Sequence, residues 1–369
     1  MMGRQAQLAF AAVQEAYADA GLGAAGSVVD RTRVGVILGV GMLNADVMEL
    51  GRAFYATAAA RRADGDAGAV EPFDAVRFGQ AGAPQLFPLF LLRHIPNLAA
   101  AHAAIALDAQ GPSNTITTGC VAAANAIGEA ARLIARGEAE VVLAGGTDAR
   151  VSPLGMLRYR DLGWLATRED GDPTAVSAPF DERASGFVNG EGAGIVVLEA
   201  LEHARARGAR IYAELAGYGA ANDAHDFLSP HPAGRGLARA VSACLDRSGL
   251  TSGGTDALFT PATAVPASDR AIAAALTAVF PPERRRPAVT ATRSILGHTH
   301  AASAALDCIA AIKAMQDSRV PPMINLRRPI ADFPFVRETA QAGEISTAMV
   351  AAYGFGGHAA ALALRRYDA

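Results

Sequence analysis

The amino-acid sequence predicts an α/β protein made of two related halves, each built on a sheet buried on both faces. Three observations carry this. Short β-branched or aliphatic runs recur along the chain and end in glycine, and stretches of helical periodicity separate them. Of 369 residues, 51% are hydrophobic and 19% charged, with 38 glycines. That composition suits a deeply buried body with many tight turns and excludes a disordered or fibrous chain. Strands without polar alternation, interleaved with helices, belong to sheets covered on both sides.

The first set of strand signals is Val34 to Leu38 before Gly39-Val40-Gly41, Val141 to Leu143 before Gly145-Gly146, and Ile195 to Leu198 after Gly190-Glu191-Gly192-Ala193-Gly194. The second is Ile211 to Leu215 before Gly217-Tyr218-Gly219, Val289 to Thr292, Ala348 to Tyr353 and Ala359 to Leu364. Helices are expected over Gln7 to Ala20, Ala122 to Arg136, Leu237 to Arg247, Ser268 to Val279 and Ala301 to Gln316. The halves divide as residues 1–205 and 206–369, joined near Glu199 to Arg210, and the similarity between them is too weak to prove duplication. Ala60 to Ala69, small, charged and glycine-containing, reads as an exposed loop. Phe87 to Leu92 is apolar and reads as core, with pocket lining as the alternative.

Thr347 to Leu364 lacks Asp, Glu, Lys and Arg and approaches the length of a membrane span. Its centre, Tyr353-Gly354-Phe355-Gly356-Gly357-His358, reads better as a turn between two buried strands. The start, Met1-Met2-Gly3-Arg4-Gln5, leads straight into an alanine-rich amphipathic helix, so no secretory signal and no membrane association are expected. The net charge of -3, with no basic run beyond Arg284-Arg285-Arg286, argues against nucleic acid as a partner. Three cysteines, Cys120, Cys244 and Cys308, form no CxxC pair, which suits a reduced, cytoplasmic setting. The histidines are scattered and no Cys/His spacing suits zinc, so no metal is expected. Gly190 to Gly194 leads into a strand instead of opening a helix, so no dinucleotide fingerprint and no soluble organic cofactor are implied.

Cys120 is the most informative residue. It closes a strand-like stretch from Gly111-Pro112-Ser113 and opens the helix beginning Val121-Ala122-Ala123. A thiol at a helix N-terminus feels the positive end of the helix dipole, which favours the thiolate and makes the sulfur a usable nucleophile. The bland alternative is a small buried apolar residue.

The chain resembles the β-ketoacyl-acyl carrier protein synthases of the elongating, type II kind, from about Arg4 to the C-terminus. The motifs are Gly111-Pro112-Ser113 through Cys120, Val142-Leu143-Ala144-Gly145-Gly146-Thr147-Asp148, Pro179-Phe180-Asp181 through Gly186-Phe187-Val188, and Gly190 to Gly194. They continue with Ser294-Ile295-Leu296-Gly297-His298, Val320-Pro321-Pro322-Met323-Ile324-Asn325-Leu326 and Gly354-Phe355-Gly356-Gly357. Each is weak alone; their order and spacing together are specific. The resemblance implies a thiolase-like fold with mixed five-stranded sheets in an α-β-α-β-α arrangement. It implies that Cys120 takes an acyl group, that His298 assists decarboxylation of a malonyl thioester, and that the amides of Cys120 and Phe355 hold the oxyanion. The Phe355 ring would gate the acyl pocket, and Gly356 and Gly357 would let the backbone approach the ligand closely. Substrates would ride on the phosphopantetheine of an acyl carrier protein, and the strand before Cys120 would be the edge of a homodimer or heterodimer with a second ketosynthase-like subunit.

Four departures follow. The family's other catalytic histidine is Pro261 here, in Pro261-Ala262-Thr263-Ala264-Val265-Pro266, and proline offers neither a side-chain donor nor an N–H. Of two pantetheine-binding threonines Thr263 is kept and Val265 replaces the other. The family's lysine and glutamate become Arg293 and Asp307, a longer cation with a shorter anion that can still span a buried ion pair. Finally, no counterpart of the family's N-terminal strand precedes the Gln7 to Ala20 helix, so either the start lies upstream or another element fills its place, expected in the middle of the first sheet between neighbours it would leave unpaired. His300, at a position usually apolar, is a candidate replacement donor, with packing as the plainer reading. Three functions therefore compete: a condensing enzyme, an acyltransferase or thioester hydrolase using the same cysteine, and a non-enzymatic chain-length-determining subunit. Pro261 and Val265 favour the third, while retention of Cys120 counts against it.

Overall fold

The computed structural model describes residues 2–23, 29–42, 46–63, 73–167 and 171–368. The strands are β1 (Val34–Val40), β2 (Ser113–Ile116), β3 (Val141–Ala149), β4 (Glu191–Glu199), β5 (Glu214–Asn222), β6 (Ala257–Phe259), β7 (Ala288–Thr290), the short hairpin β8 (Arg319–Val320) and β9 (Gln341–Ala342), β10 (Thr347–Gly354) and β11 (His358–Arg365). The first sheet runs β2-β1-β3-β4 and the second β5-β11-β10-β6-β7. In the first, β1 pairs parallel with β2 and β3, and β4 returns antiparallel to β3. In the second, β6 pairs parallel with β7 and β10, and β11 returns antiparallel to β10 before β5 closes the order. The two connection patterns are alike, with one difference: the second sheet has a strand outside its antiparallel member.

That difference corrects two expectations. The first sheet has four described strands, not five, and the slot equivalent to β5 lies outside β4, at a margin. Among the described residues the middle of the first sheet is continuous, because β1 pairs directly with both β2 and β3.

The layering is as expected. Between the sheets lie the helices Ala122–Ala135 and Ser303–Asp317, whose Ala123, Ile127, Ala304 and Cys308 pack against Ile37 and Val142 on one side and Phe259, Val350 and Leu362 on the other. Helices Arg4–Asp19 and Leu98–Leu107 cover the outer face of the first sheet through Val13 and Ala103 against Val36 and Leu38. Helices Arg235–Ser248 and Pro266–Val279 cover the second through Leu237 and Ile272 against Leu258 and Met349. Small side chains let the central helices press close. At Gly39 on β1, a Cβ would sit 2.3 Å from the Ala122 carbonyl carbon and 2.4 Å from the Ala123 nitrogen. Gly39→Ala is expected to cost about 1–3 kcal/mol by overpacking, since the obstruction is backbone, and denaturant unfolding measures it.

Other expectations shift in detail. Strand Ile211 to Leu215 begins later, at Glu214, and runs through Gly217-Tyr218-Gly219 to Asn222; Gly192 and Gly194 lie inside β4. Ala60–Ala63 end the helix Val47–Ala63, so the loop reading fails there, and 64–69 lie outside the described residues. Leu89, Leu91 and Leu92 are exposed, 70% for Leu91. They are neither core nor lining of the cavity described below, because this segment is a short surface helix, Phe90–His94. Thr347 to Leu364 is the antiparallel pair β10–β11. No described helix is long and apolar enough to cross a membrane.

Candidate active site

Both central helices start at the same place between the sheets. Cys120 sits in the single turn Gly119–Val121 after β2 and directly before the helix Ala122–Ala135. Asn125, one turn into that helix, donates to the Thr118 hydroxyl at 2.9 Å and accepts from the Tyr218 hydroxyl at 2.9 Å, which fixes the turn. His298 precedes the helix Ser303–Asp317, and its backbone is clamped to the segment that leads into β4. Its N–H donates to the Val188 carbonyl at 2.7 Å, and its carbonyl accepts from the Gly190 N–H at 2.9 Å. The result is a 3.3 Å contact between Cys120 Sγ and His298 Nε2, with both side chains buried. The end of β10 closes the site from the second sheet. A Cβ on Gly354 would lie 3.1 Å from the Cys120 nitrogen, so glycine there lets the turn Phe355–Gly357 reach the cysteine backbone.

These residues enclose a cavity of about 90 Å³ lined by Cys120, His298, Phe355, Pro261, Thr263, Val265, Phe187 and Trp164. The Phe355 ring stacks on Trp164 with centroids 4.2 Å apart and planes 13° apart. Gly356 and Gly357 lie behind Phe355, tied to Phe227 and Asp223 by backbone hydrogen bonds. Arg293 and Asp307 do not line the cavity. They form an ion pair of 2.7 Å beneath the His298 turn, almost wholly buried, with Arg293 also donating to the Thr260 carbonyl and the Thr292 hydroxyl donating to Asp307.

The thiolate expectation is corrected. Burial pushes the Cys120 thiol up to about 12, and the Asp148 carboxylate adds to the rise, outweighing Arg293 and Arg150. Desolvation, then His300 and Arg293, hold His298 well below the usual imidazole range. Both shifts favour the neutral forms, thiol and imidazole, in the resting pair. Neither group changes charge between about pH 6 and 8. Acylation rate is accordingly expected to stay flat over that window, where a free thiolate of pKa about 8.5 would give a roughly tenfold rise per pH unit. Stopped-flow acylation at constant ionic strength distinguishes the two.

His298 and His300, scattered in sequence with Cys120, converge: the ring centroids of the two histidines are 4.2 Å apart, and one ligating atom from each of the three side chains lies within 4.8 Å of the others. No spacing in the sequence signals this group; the turn through His300 (φ 47) forms it by folding the ring back beside His298. His300 lies behind the cavity wall, stacked on Tyr159. Its Nε2 is 2.6 Å from Asn189 Oδ1, while Asn189 Nδ2 donates to the Arg150 carbonyl at 2.7 Å. The amide orientation so fixed makes Nε2 the protonated nitrogen of a neutral His300. Its remaining nitrogen is an acceptor, unsuited to donate to an enolate.

Sequence reading passed over three supporting residues. Asp269, wholly buried in the helix after Pro266, accepts from the N–H groups of Phe180, Thr263 and Ala264 and so fixes the Pro261–Val265 loop. Its signal was an acid in a first turn headed by proline. Arg150 pairs with Asp148 at 2.7 Å, both nearly fully buried. Trp164 is the one tryptophan of the chain.

The chain is similar to known proteins across both halves. The family model "Beta-ketoacyl synthase, N-terminal domain" matches residues 1–204, and "Beta-ketoacyl synthase, C-terminal domain" matches 212–327. The chain is 38% identical over 288 residues to the 3-oxoacyl-[acyl-carrier-protein] synthase 2 of Rhizobium meliloti, covering 78% of this chain and 68% of that protein. It is 32% identical over 370 residues to the Staphylococcus aureus protein of the same name, covering 100% and 83%. Among solved structures, a type II polyketide ketosynthase in complex with its acyl-carrier protein and bound to the hexaketide aligns with a TM-score of 0.85 at 26% identity, over 99% of this chain and 85% of that one. The ishigamide ketosynthase/chain length factor aligns at 0.81 and 30%, over 100% and 83%. A buried cysteine against an imidazole between two thiolase-like halves, and sequence matches across both halves, lead to one conclusion: this chain belongs to the β-ketoacyl synthase family.

Proposed function

We propose that this protein is a β-ketoacyl synthase of fatty-acid or polyketide synthesis, working in the cytoplasm on acyl and malonyl groups carried by the phosphopantetheine of an acyl carrier protein. The observation that carries the reading is the Cys120–His298 contact of 3.3 Å at the wall of a cavity that Phe355 and Thr263 also line. In the first step Sγ forms a bond to the acyl carbonyl carbon, the carbon–sulfur bond to pantetheine breaks, and the thiol proton passes through His298 Nε2 to the departing sulfur. The amides of Cys120 and Phe355, brought together by Gly354, would receive the oxyanion. In the second step the malonyl carbon–carbon bond breaks, carbon dioxide leaves, and the electron pair becomes an enolate. The enolate carbon then attacks the acyl carbon, and Cys120 departs as the leaving group. His298, the imidazole lining the cavity, would stabilise that enolate by donation from Nε2–H, once its single proton has moved from Nδ1 to Nε2.

Arg293 and Asp307 act by position, holding the turn that presents His298. Thr263 is placed to meet the pantetheine arm, and Phe355 on Trp164 to gate the acyl pocket. A second subunit, a copy of this chain or a related ketosynthase, would add to β2. That strand pairs on one side only and carries exposed Ser113 and Asn114; Leu91 and Ile105 nearby are exposed apolar side chains.

Pro261 favours a second reading. It lines the cavity and contributes no hydrogen-bond donor, so an acyltransferase or hydrolase that never forms an enolate would tolerate it. Carbon dioxide release from malonyl-carrier protein, measured on acylated protein, separates the two. The condensing reading expects slow release that rises about 100- to 1,000-fold in Pro261→His, the scale of restoring one oxyanion donor. Transfer or hydrolysis of the acyl group without carbon dioxide release from either protein supports the second reading instead.

A further inference from the structure

We propose that the Cys120–His298–His300 group is a binding site for a soft or borderline divalent cation, zinc above all, which captures the unacylated protein and blocks its nucleophile. The inference rests on the reading of Cys120 as the acyl acceptor only for its consequence; the binding itself is independent of any turnover.

The donor set is the first argument. Thiolate and imidazole are both zinc ligands, and a site with three protein ligands leaves its fourth position to water or another exogenous ligand. Cys120 Sγ and His298 Nε2 are 3.3 Å apart, and one atom from each of the three side chains lies within 4.8 Å of the others. Tetrahedral bonds of roughly 2.0–2.3 Å put neighbouring ligand atoms about 3.3–3.8 Å apart. The Cys120–His298 spacing already fits, and rotation of the side chains brings in the third atom by up to about 1.5 Å. The open fourth position would face the cavity, since Cys120 and His298 line it.

A second observation concerns the outer ring of partners. Metal-bound histidine commonly donates its other N–H to an oxygen, which fixes the tautomer and the ring plane. His300 already has this arrangement: its Nε2 donates to Asn189 Oδ1 at 2.6 Å, and Tyr159 stacks on the ring with planes 11° apart. The Asn189 orientation is held by its own bond to the Arg150 carbonyl. The buried nitrogen His298 Nδ1 has no hydrogen-bond partner among the described residues, so nothing in the described structure locks that ring in its present tautomer. The two flanking arginines, Arg150 and Arg293, are each paired at 2.7 Å with a buried aspartate, which mutes their repulsion of an incoming cation. On binding, the Cys120 S–H bond breaks, a metal–sulfur bond forms, and the proton leaves to solvent, one per ion.

The experiment is a titration of the full chain with zinc against a chromophoric chelator, and with cobalt(II) followed by absorption. One ion per chain is expected, with a sulfur-to-cobalt charge-transfer band in the near ultraviolet from wild-type protein. Cys120→Ala is expected to abolish the band. His300→Leu is expected to weaken zinc by more than about 100-fold, and Asn189→Ala by about 10- to 100-fold, the usual range for removing an outer partner of a ligand. Cobalt binding without the sulfur band, no stoichiometric binding by wild-type protein, or binding unchanged in Cys120→Ala and His300→Leu would each overturn the proposal. The wild-type band decides the matter even if a variant fails to fold. Failure of the condensing reading shows separately, as absent acylation by carrier-protein substrates in metal-free buffer.

Discussion

Cys120→Ala is expected to lower product formation by about 10⁶-fold, the scale seen when a nucleophile acting as one unit with its base is removed. The protein should still fold, because Cys120 sits among small buried side chains and alanine removes one atom from a site that already borders a cavity. The size of the loss follows from the absence of a nearby substitute. Cys244 lies in a helix on the outer face of the second sheet, and Cys308 lies two to three turns along from His298 in the core between the sheets. Burial pushes both thiols up to about 12, as it does Cys120, whose Sγ lies against the His298 imidazole. Near wild-type rates in Cys120→Ala would remove the condensing and the acyl-transfer readings together.

Asp307→Ala is expected to destabilise the fold by about 3–5 kcal/mol, because it strands the Arg293 guanidinium in the interior. The pair is 2.7 Å apart with side chains 4% and 0% exposed, so water cannot substitute for the lost carboxylate. The Thr292 hydroxyl loses its acceptor as well. A double replacement, Arg293→Met with Asp307→Leu, is expected to be close to neutral or stabilising, since it removes both charges and their desolvation cost. Denaturant unfolding of the two single variants and the double variant measures this. If the double variant regains stability but acylates slowly, the pair serves to place His298; if it acylates normally, its role is confined to the fold.

Much of this was legible in the sequence because the relevant signals are local. The apolar runs of β1, β3, β10 and β11, and the helices packed between the sheets, follow from period and composition, although β3 runs six residues past Leu143, through Gly145-Gly146, to Ala149. Cys120 announced itself by its place between a strand and a helix. What the sequence could not convey depends on folding at a distance. The dipole argument favoured a thiolate, but burial beneath the second sheet outweighs it. His300 looked like an isolated polar residue until its positive φ turned the ring beside His298. The three-residue strands β6 and β7 are too short to show a period, so β6 was missed and β7 was placed only by its apolar core. The family's first strand was expected in the middle of a sheet because order within a sheet is not encoded in any one strand; the second half supplies the template that puts that slot at the margin. Phe87–Leu92 read as core because composition alone cannot tell a buried face from one that a partner covers.

The intact mass of the wild-type protein after incubation with a defined acyl-carrier protein, followed by peptide mapping, tests the central claim most directly. One acyl group on Cys120, formed at the same rate from about pH 6 to 8 and absent in Cys120→Ala, is the expected result. No gain in mass, or an acyl group carried on Cys244 or Cys308, would contradict it.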